Sequence, residues 1–402
     1  MTSRERVQAV LSHQIPDRIP NGLGACETAG LHIVAYDNLQ KILNTPWQPP
    51  RLDTFMTNAV FEDSVIRAMD GDIMLLASGN MCPSPLRGNN IEQYWKVQKL
   101  WGRTFKVPVC EEFEERPDGT LVWKNRGNAI CPAGTYFFDP AEPTDLLIDF
   151  EIPDPDKFHP CDTYSDDFLR TLEETARKLY EETDLSLCLG ESITDLQVGP
   201  APGVGSMILM LEAPEVYHAF LQKCVDASLK QIKLLDQAVG KYVDILSVAH
   251  DFGDNRDVTI GPDLWRKIYK PYYKQWFDGW KSLTGMKINL HSCGAISNII
   301  GDLIECGVKI LNPVQTSAAN MSIDSLKQRF GKDVIFWGGA YDAQLIPEHA
   351  SYDEVYQAVY TNTKKLGDGG NFIFSGVHNL PATIPESHLK AMIDAYKAAR
   401  YY

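Results

Sequence analysis

The 402-residue chain has no stretch approaching the ~20 consecutive apolar residues that a membrane-spanning helix needs. Its opening, MTSRERVQAVLSHQIPDRIP, is not a signal peptide. It reads as an amphipathic helix, capped by Thr2 or Ser3, with Val7, Val10 and Leu11 as the apolar stripe. These features predict a cytoplasmic chain. Positive charge is in deficit, with 38 Lys and Arg against 53 Asp and Glu, a net −15. Such a field repels phosphate backbones and anionic lipid, so neither nucleic acid nor a membrane is an expected partner. No C-x-x-C occurs, and the nine cysteines follow no regular spacing, which speaks against a disulfide framework. Cys188 and Cys306 read as buried small hydrophobes. No G-x-G-x-x-G follows an early strand, so a nucleotide-binding doubly wound sheet has no support. No internal repeat or linker divides the chain, and one domain over residues 1–402 is expected.

What is present is an alternation. Short apolar runs at Arg18–Gly24, Ile73–Gly79, Leu185–Gly190, Val243–Val248, Ile288–Leu290, Val308–Leu311, Val334–Trp337 and Phe372–Phe374 are mostly followed by helical stretches. Eight such units predict an α/β fold, a (β/α)8 TIM barrel. Residues 90–160 break the pattern. A turn at Glu115–Thr120 and the strand-like runs Leu121–Trp123 and Thr135–Phe138 predict a β-rich insertion there, ending at a helix that begins near Asp166.

The active site of such a barrel lies at the C-terminal ends of its strands. Polar residues recur there: Glu191 and Ser192, then His250, Asp251 and Asp254, His291 and Cys293, Asn312 and Gln315, Tyr341 and Asp342, His378 and Asn379. Strand side chains alternate faces, so His291 and Cys293 project together. An imidazole and a thiolate at one strand end supply two ligands for Zn²⁺. His378 on the final strand end is the best third ligand, with Glu191 and Asp251 as carboxylate alternatives. Asn312, Gln315 and Asp342 are candidates for binding substrate. Glu191, Asp251 and Tyr341 are candidates for handling protons. Trp337 could line the pocket, although a barrel-strand Trp is more often core.

The segment HSCGAISNIIGDLIECGVKILNPVQ resembles the signature of the uroporphyrinogen decarboxylase superfamily, in particular its zinc-dependent, corrinoid-linked methyltransferases. TSRERVQAVLSHQIPDRIP, HDFGDN, FWGGAYDAQ and GVHNLPATIPESHLKAM extend the likeness. The resemblance implies the same barrel fold and methyl transfer between a small molecule and a corrinoid (cobalamin) on a partner protein. Two departures refine this. The Arg-rich opening with which the decarboxylases grip substrate carboxylates is replaced by Asn21-Gly-Leu-Gly-Ala-Cys-Glu-Thr28, which argues against porphyrinogen decarboxylation. That metal-free reaction, with Asp251 or Asp342 as the acid, is the runner-up. Thiol-methylating relatives carry a late Cys where this chain has His378. A site with fewer thiolates is a stronger Lewis acid, which favours an O-methyl donor, such as a methoxyaromatic, over methylation of a thiol.

Overall fold

The computed structural model describes residues 1–78, 86–141, 152–191, 193–194 and 204–402; Ser192 and Cys82 lie outside these. Its centre is a parallel sheet of seven strands. In spatial order they are Phe372–Ile373, Ile335–Trp337, Ile310–Asn312, Lys287–His291, Ile245–Ala249, Ser186–Leu189 and Ile73–Ala77. The order simply reverses the sequence, as successive βα units with short returns require. Helices follow most strands, including Asp166–Glu182, Pro214–Val239, Lys270–Leu283 and Tyr352–Gly367.

The fold is thus mixed α/β around a parallel sheet, with seven laddered strands where the sequence predicts eight. The missing one is Arg18–Gly24. There a single residue, Asn21, bridges Phe374 in parallel. The segment nonetheless reaches both sheet edges. Phe374 N donates to Pro20 O at 2.8 Å and Gly22 N to Phe374 O at 2.9 Å, while Asp72 N donates to Asn21 O at 2.9 Å. No ladder develops because Pro20 has no N–H and the Asn21 amide donates to the Asp72 carboxylate at 2.8 Å instead.

One face of six of these strands, all but Lys287–His291, contributes to a shared apolar interior. Ile73, Cys188, Ile245, Ile310, Ile335, Trp337 and Ile373 pack there with Val7, Val10 and Leu11 of the first helix, Ser3–Leu11. Trp337 therefore belongs to the core. Helix Ser3–Leu11 starts with a capping box made by Thr2 and Glu5.

The β-rich insertion is present, but its sheet starts earlier than residue 90. Arg51–Asp53 and Asn58–Val60 join Arg103–Pro108 and Trp95–Leu100 in one four-stranded sheet. Phe113–Glu115, Leu121–Trp123 and Ala129–Cys131 form a second. The Arg51–Val60 hairpin is short and has no long apolar run, so periodicity alone does not reveal it. The helix at Asp166–Glu182 begins as expected, with the Ser165 side chain accepting from Phe168 N.

Candidate metal and active site

Strand register brings the first pieces together. Ala249, His291 and Asn312 occupy one row of the parallel sheet, so their side chains leave the same face. His250 therefore faces the other way, against Tyr269 and Tyr273, where burial pushes its imidazole down to about 3. Beyond His291 the ladder stops. Ser292 N still donates to Asn312 O at 2.7 Å, and the chain then turns at Gly294. Gly294 has φ +90°, and a Cβ there would stand 2.4 Å from Gly253 O. Only glycine lets the two loops approach this closely.

Three ligand-type atoms converge on this turn. Nδ1 or Nε2 of His291, Sγ of Cys293 and a ring nitrogen of His378 all lie within 4.8 Å of one another. His291 Nε2 is 3.4 Å from Cys293 Sγ. The two imidazoles meet edge to face, with centroids 5.1 Å apart. Nitrogen and sulfur ligands held about 2.0–2.3 Å from one tetrahedral Zn²⁺ stand about 3.5 Å apart. The His291–Cys293 spacing fits that geometry, and His378 is within reach of a small adjustment.

Asn312 settles which nitrogen of His291 faces the cluster. Its Nδ2 donates to Trp337 O at 3.2 Å, so its Oδ1 is turned to His291 Nδ1, 2.7 Å away. An amide oxygen only accepts. Nδ1 therefore carries the proton, and Nε2 offers its lone pair beside Cys293.

The electrostatics keep the cluster neutral when no cation is bound. Burial, then the positive charge of a protonated His378, pushes His291 down to about 4. Burial also lowers His378. The Cys293 thiol is pushed up to about 12, mainly by burial and next by the nearby Asp251 carboxylate. Neutral imidazoles are the ligand form of histidine. A thiol in such a place ionises when a cation replaces its proton.

Asp251 is exposed at the mouth. Its Oδ1 accepts from Cys293 N at 2.8 Å and lies 3.5 Å from His291 Nε2. Gln315 is used at both ends, accepting from Gly294 N at 2.7 Å and donating to Asn255 Oδ1 at 2.8 Å. Asp342 accepts from Thr316, Ser317 and Gln344 and so ties its own loops together. Asp254 accepts from Arg256 N and Asp257 N in a local turn. The Tyr341 hydroxyl is paired with His388 Nδ1 at 3.1 Å. Asn379 pairs with the His378 ring and donates to Asn58 Oδ1 at 3.1 Å.

Sequence reasoning names Glu191 but misses the two carboxyls that accompany it, Glu27 and Asp53; all three are 2% exposed or less. Ser78 Oγ lies 2.5 Å from Glu27 Oε1 and 3.0 Å from Asp53 Oδ2, and Glu191 N donates to Glu27 Oε2 at 2.8 Å. Gly190 makes room for them, since a Cβ there would stand 2.2 Å from Glu27 Oε1. Burial, with Asp53 adding repulsion, pushes Glu27 up to about 7. Burial, then Glu27, raises Glu191 well above the usual carboxylate range. Glu27 and Asp53 belong to no βα unit, and nothing in their local pattern marks them as buried.

Residues 204–399 match the family model described as uroporphyrinogen decarboxylase (URO-D). Among solved structures, a methyltransferase from Methanosarcina mazei superposes with a TM-score of 0.53 at 14% identity, covering 99% of this chain and 99% of its own. At that identity the likeness speaks for the fold. Xylanase B from Clostridium stercorarium F9 aligns over 54% of this chain and 80% of its own at 10% identity. Its TM-score of 0.31 is too low to bear on the architecture. No curated protein sequence matches the chain.

Proposed function

From the match of residues 204–399 to the uroporphyrinogen decarboxylase family model, we propose that the chain is a member of that superfamily and a zinc-dependent methyltransferase moving a methyl group from an O-methyl donor to a corrinoid carried by a partner protein. The same reading takes the Pro20–Gly22 segment as the eighth stave of a (β/α)8 barrel, and residues 1–402 as one domain. The observation that carries the proposal is the convergence of His291, Cys293 and His378, with Nε2 and Sγ 3.4 Å apart. The fold it shares with a methyltransferase from Methanosarcina mazei supports it further.

His291, Cys293 and His378 would hold Zn²⁺, which would supply Lewis acidity for the negative charge that develops on the donor's heteroatom. The protein's own work is positioning. Asn312 holds His291 Nδ1–H so that Nε2 faces the cluster. Asp251 and Gln315 accept from Cys293 N and Gly294 N, which fixes the turn that presents the thiol. Asp251, with its carboxylate open to solvent, is the group we assign to proton handling; Glu191 lies buried behind the cluster. One thiolate and two neutral imidazoles leave a divalent ion with net positive charge. That charge favours a phenolate-type oxyanion leaving a methoxyaromatic over a thiolate acceptor.

Two measurements test this. Purified protein should hold about one zinc per chain, and Cys293→Ala should lose most of it. Unchanged zinc in that variant at low free metal rules out the site. Methyl transfer from a panel of methoxyaromatics should require an added corrinoid protein, and His378→Cys should weaken it while keeping the metal. Activity confined to thiol acceptors would reverse the direction of transfer, and turnover without any corrinoid would remove the partner.

A further inference from the structure

The hydroxyl of Thr28, at the opposite end of the sequence from the ligands, lies between two groups of the site. It is hydrogen-bonded to Glu191 Oε1 and stands 3.0 Å from Asn312 Oδ1. Asn312 Oδ1 is in turn the acceptor for His291 Nδ1, 2.7 Å away. All four side chains are 3% exposed or less, so solvent does not supply substitutes for these contacts.

The protons of this chain can be counted. Asn312 Oδ1 has none, because the amide is oriented by its Nδ2 bond to Trp337 O. Thr28 has one. If Thr28 gives it to Glu191, the 3.0 Å contact to Asn312 is between two lone pairs. If Thr28 gives it to Asn312, Glu191 must bring a proton of its own to Thr28 Oγ. The Cys26 thiol, 3.7 Å from Thr28 Oγ, can donate to it in either case; only the second arrangement satisfies both oxygen contacts, and it makes Glu191 a neutral acid. The surroundings agree with this, since Glu27 stands against the Glu191 backbone and no cation bonds either Glu among the described contacts. The direction of polarity is then uniform: Glu191 O–H to Thr28, Thr28 O–H to Asn312, and His291 Nδ1–H to the same Asn312 oxygen.

We propose that Thr28 and Glu191 are positioning residues for the ligand cluster, acting through Asn312 to hold His291 with its Nε2 lone pair toward Cys293. A buried partner of this kind raises ligand basicity and fixes the ring, and its loss typically weakens metal binding about 10–100-fold. The inference rests on the zinc reading for its purpose, but its geometric core does not need metal.

The test has two arms. In metal-free protein carrying ¹⁵N-labelled histidine, His291 should show a protonated Nδ1 and a bare Nε2. A predominantly Nε2–H ring overturns the proposal whatever the metal content. In the second arm, chelator competition measures zinc affinity. Thr28→Val should weaken it about 10-fold or more and Thr28→Ser should restore it. Glu191→Gln, whose amide can still donate to Thr28 Oγ, should stay near wild type, whereas Glu191→Ala should fall with Thr28→Val. Thermal unfolding of each metal-free variant confirms that it is folded. Wild-type affinity in Thr28→Val overturns the proposal. If wild type itself binds no zinc, the functional reading fails while the tautomer measurement still decides the positioning chain.

Discussion

Glu27 shows how a single side chain can set a pH dependence for the whole molecule. Its ordinary value of 4.5 is raised to about 7 in the fold, first by burial and then by Asp53. A raised carboxyl binds its proton more tightly in the native state than in the unfolded state. Its stabilising contribution is therefore complete below 4.5 and is lost as pH rises toward about 7. Urea unfolding on either side of that window should show wild type losing stability with rising pH, and Glu27→Gln losing less. Equal slopes in the two proteins would show that Glu27 is not the group responsible. Gly294 makes a second prediction at this scale. A side chain at a left-handed φ costs roughly 1–2 kcal/mol, and here the added Cβ also meets Gly253 O at 2.4 Å. Gly294→Ala should destabilise by about 2 kcal/mol or more and loosen the ligand turn. Gly285→Ala, with nothing within 4 Å, is the control and should be near neutral.

Elements are joined to one another at a few buried charges, and Asp72 is the main one. It is fully buried, with Arg6 Nη1 at 2.7 Å, Arg18 Nη1 at 2.8 Å and the Asn21 amide at 2.8 Å. One carboxylate thus fastens the first helix, the Arg18–Gly22 segment and the strand Ile73–Ala77. Removing one partner from a buried ion pair leaves the others uncompensated, at a cost of about 3–5 kcal/mol. Asp72→Ala should lower stability by that amount in denaturant unfolding, far more than Asp63→Ala, whose pair with Arg67 is half exposed. Comparable losses in the two variants would mean that Asp72 is not the fastening point.

For the molecule as a whole, the ligand cluster draws on residues from distant parts of the chain: Thr28, Glu191, His291, Asn312 and His378. A ligand that binds only the assembled site stabilises the folded state by mass action. At free zinc about 100-fold above its dissociation constant, the gain is about 2.7 kcal/mol. Chelation should therefore lower the thermal midpoint of wild type and leave that of Cys293→Ala unchanged. A chelator-insensitive wild type would speak against any metal site in the fold. Among the described residues, no helix is long and apolar enough to cross a membrane.

The sequence alone determined what depends on local order. Apolar runs alternating with helical stretches marked seven strands that form ladders, because burial on both faces selects such runs. The spacing of His291 and Cys293 placed them at one strand end, because side-chain alternation is a local property. His378 was found by the same reasoning, one strand end at a time. Tertiary structure decided what depends on partners far along the chain. Asn312 and Gln315 looked like groups for substrate, yet both ends of each amide bond the protein, at His291 and Trp337 and at Gly294 and Asn255. The eighth strand shrank to one bridge because Pro20 has no donor and Asp72 captures the next amide. Glu27 and Thr28 stand on a 3-10 segment and Asp53 on a three-residue strand, where no periodicity reports burial. Their environment is set by where the sheet and its loops meet, and a hydrogen bond or a displaced proton between residues more than 160 positions apart leaves no trace in local sequence.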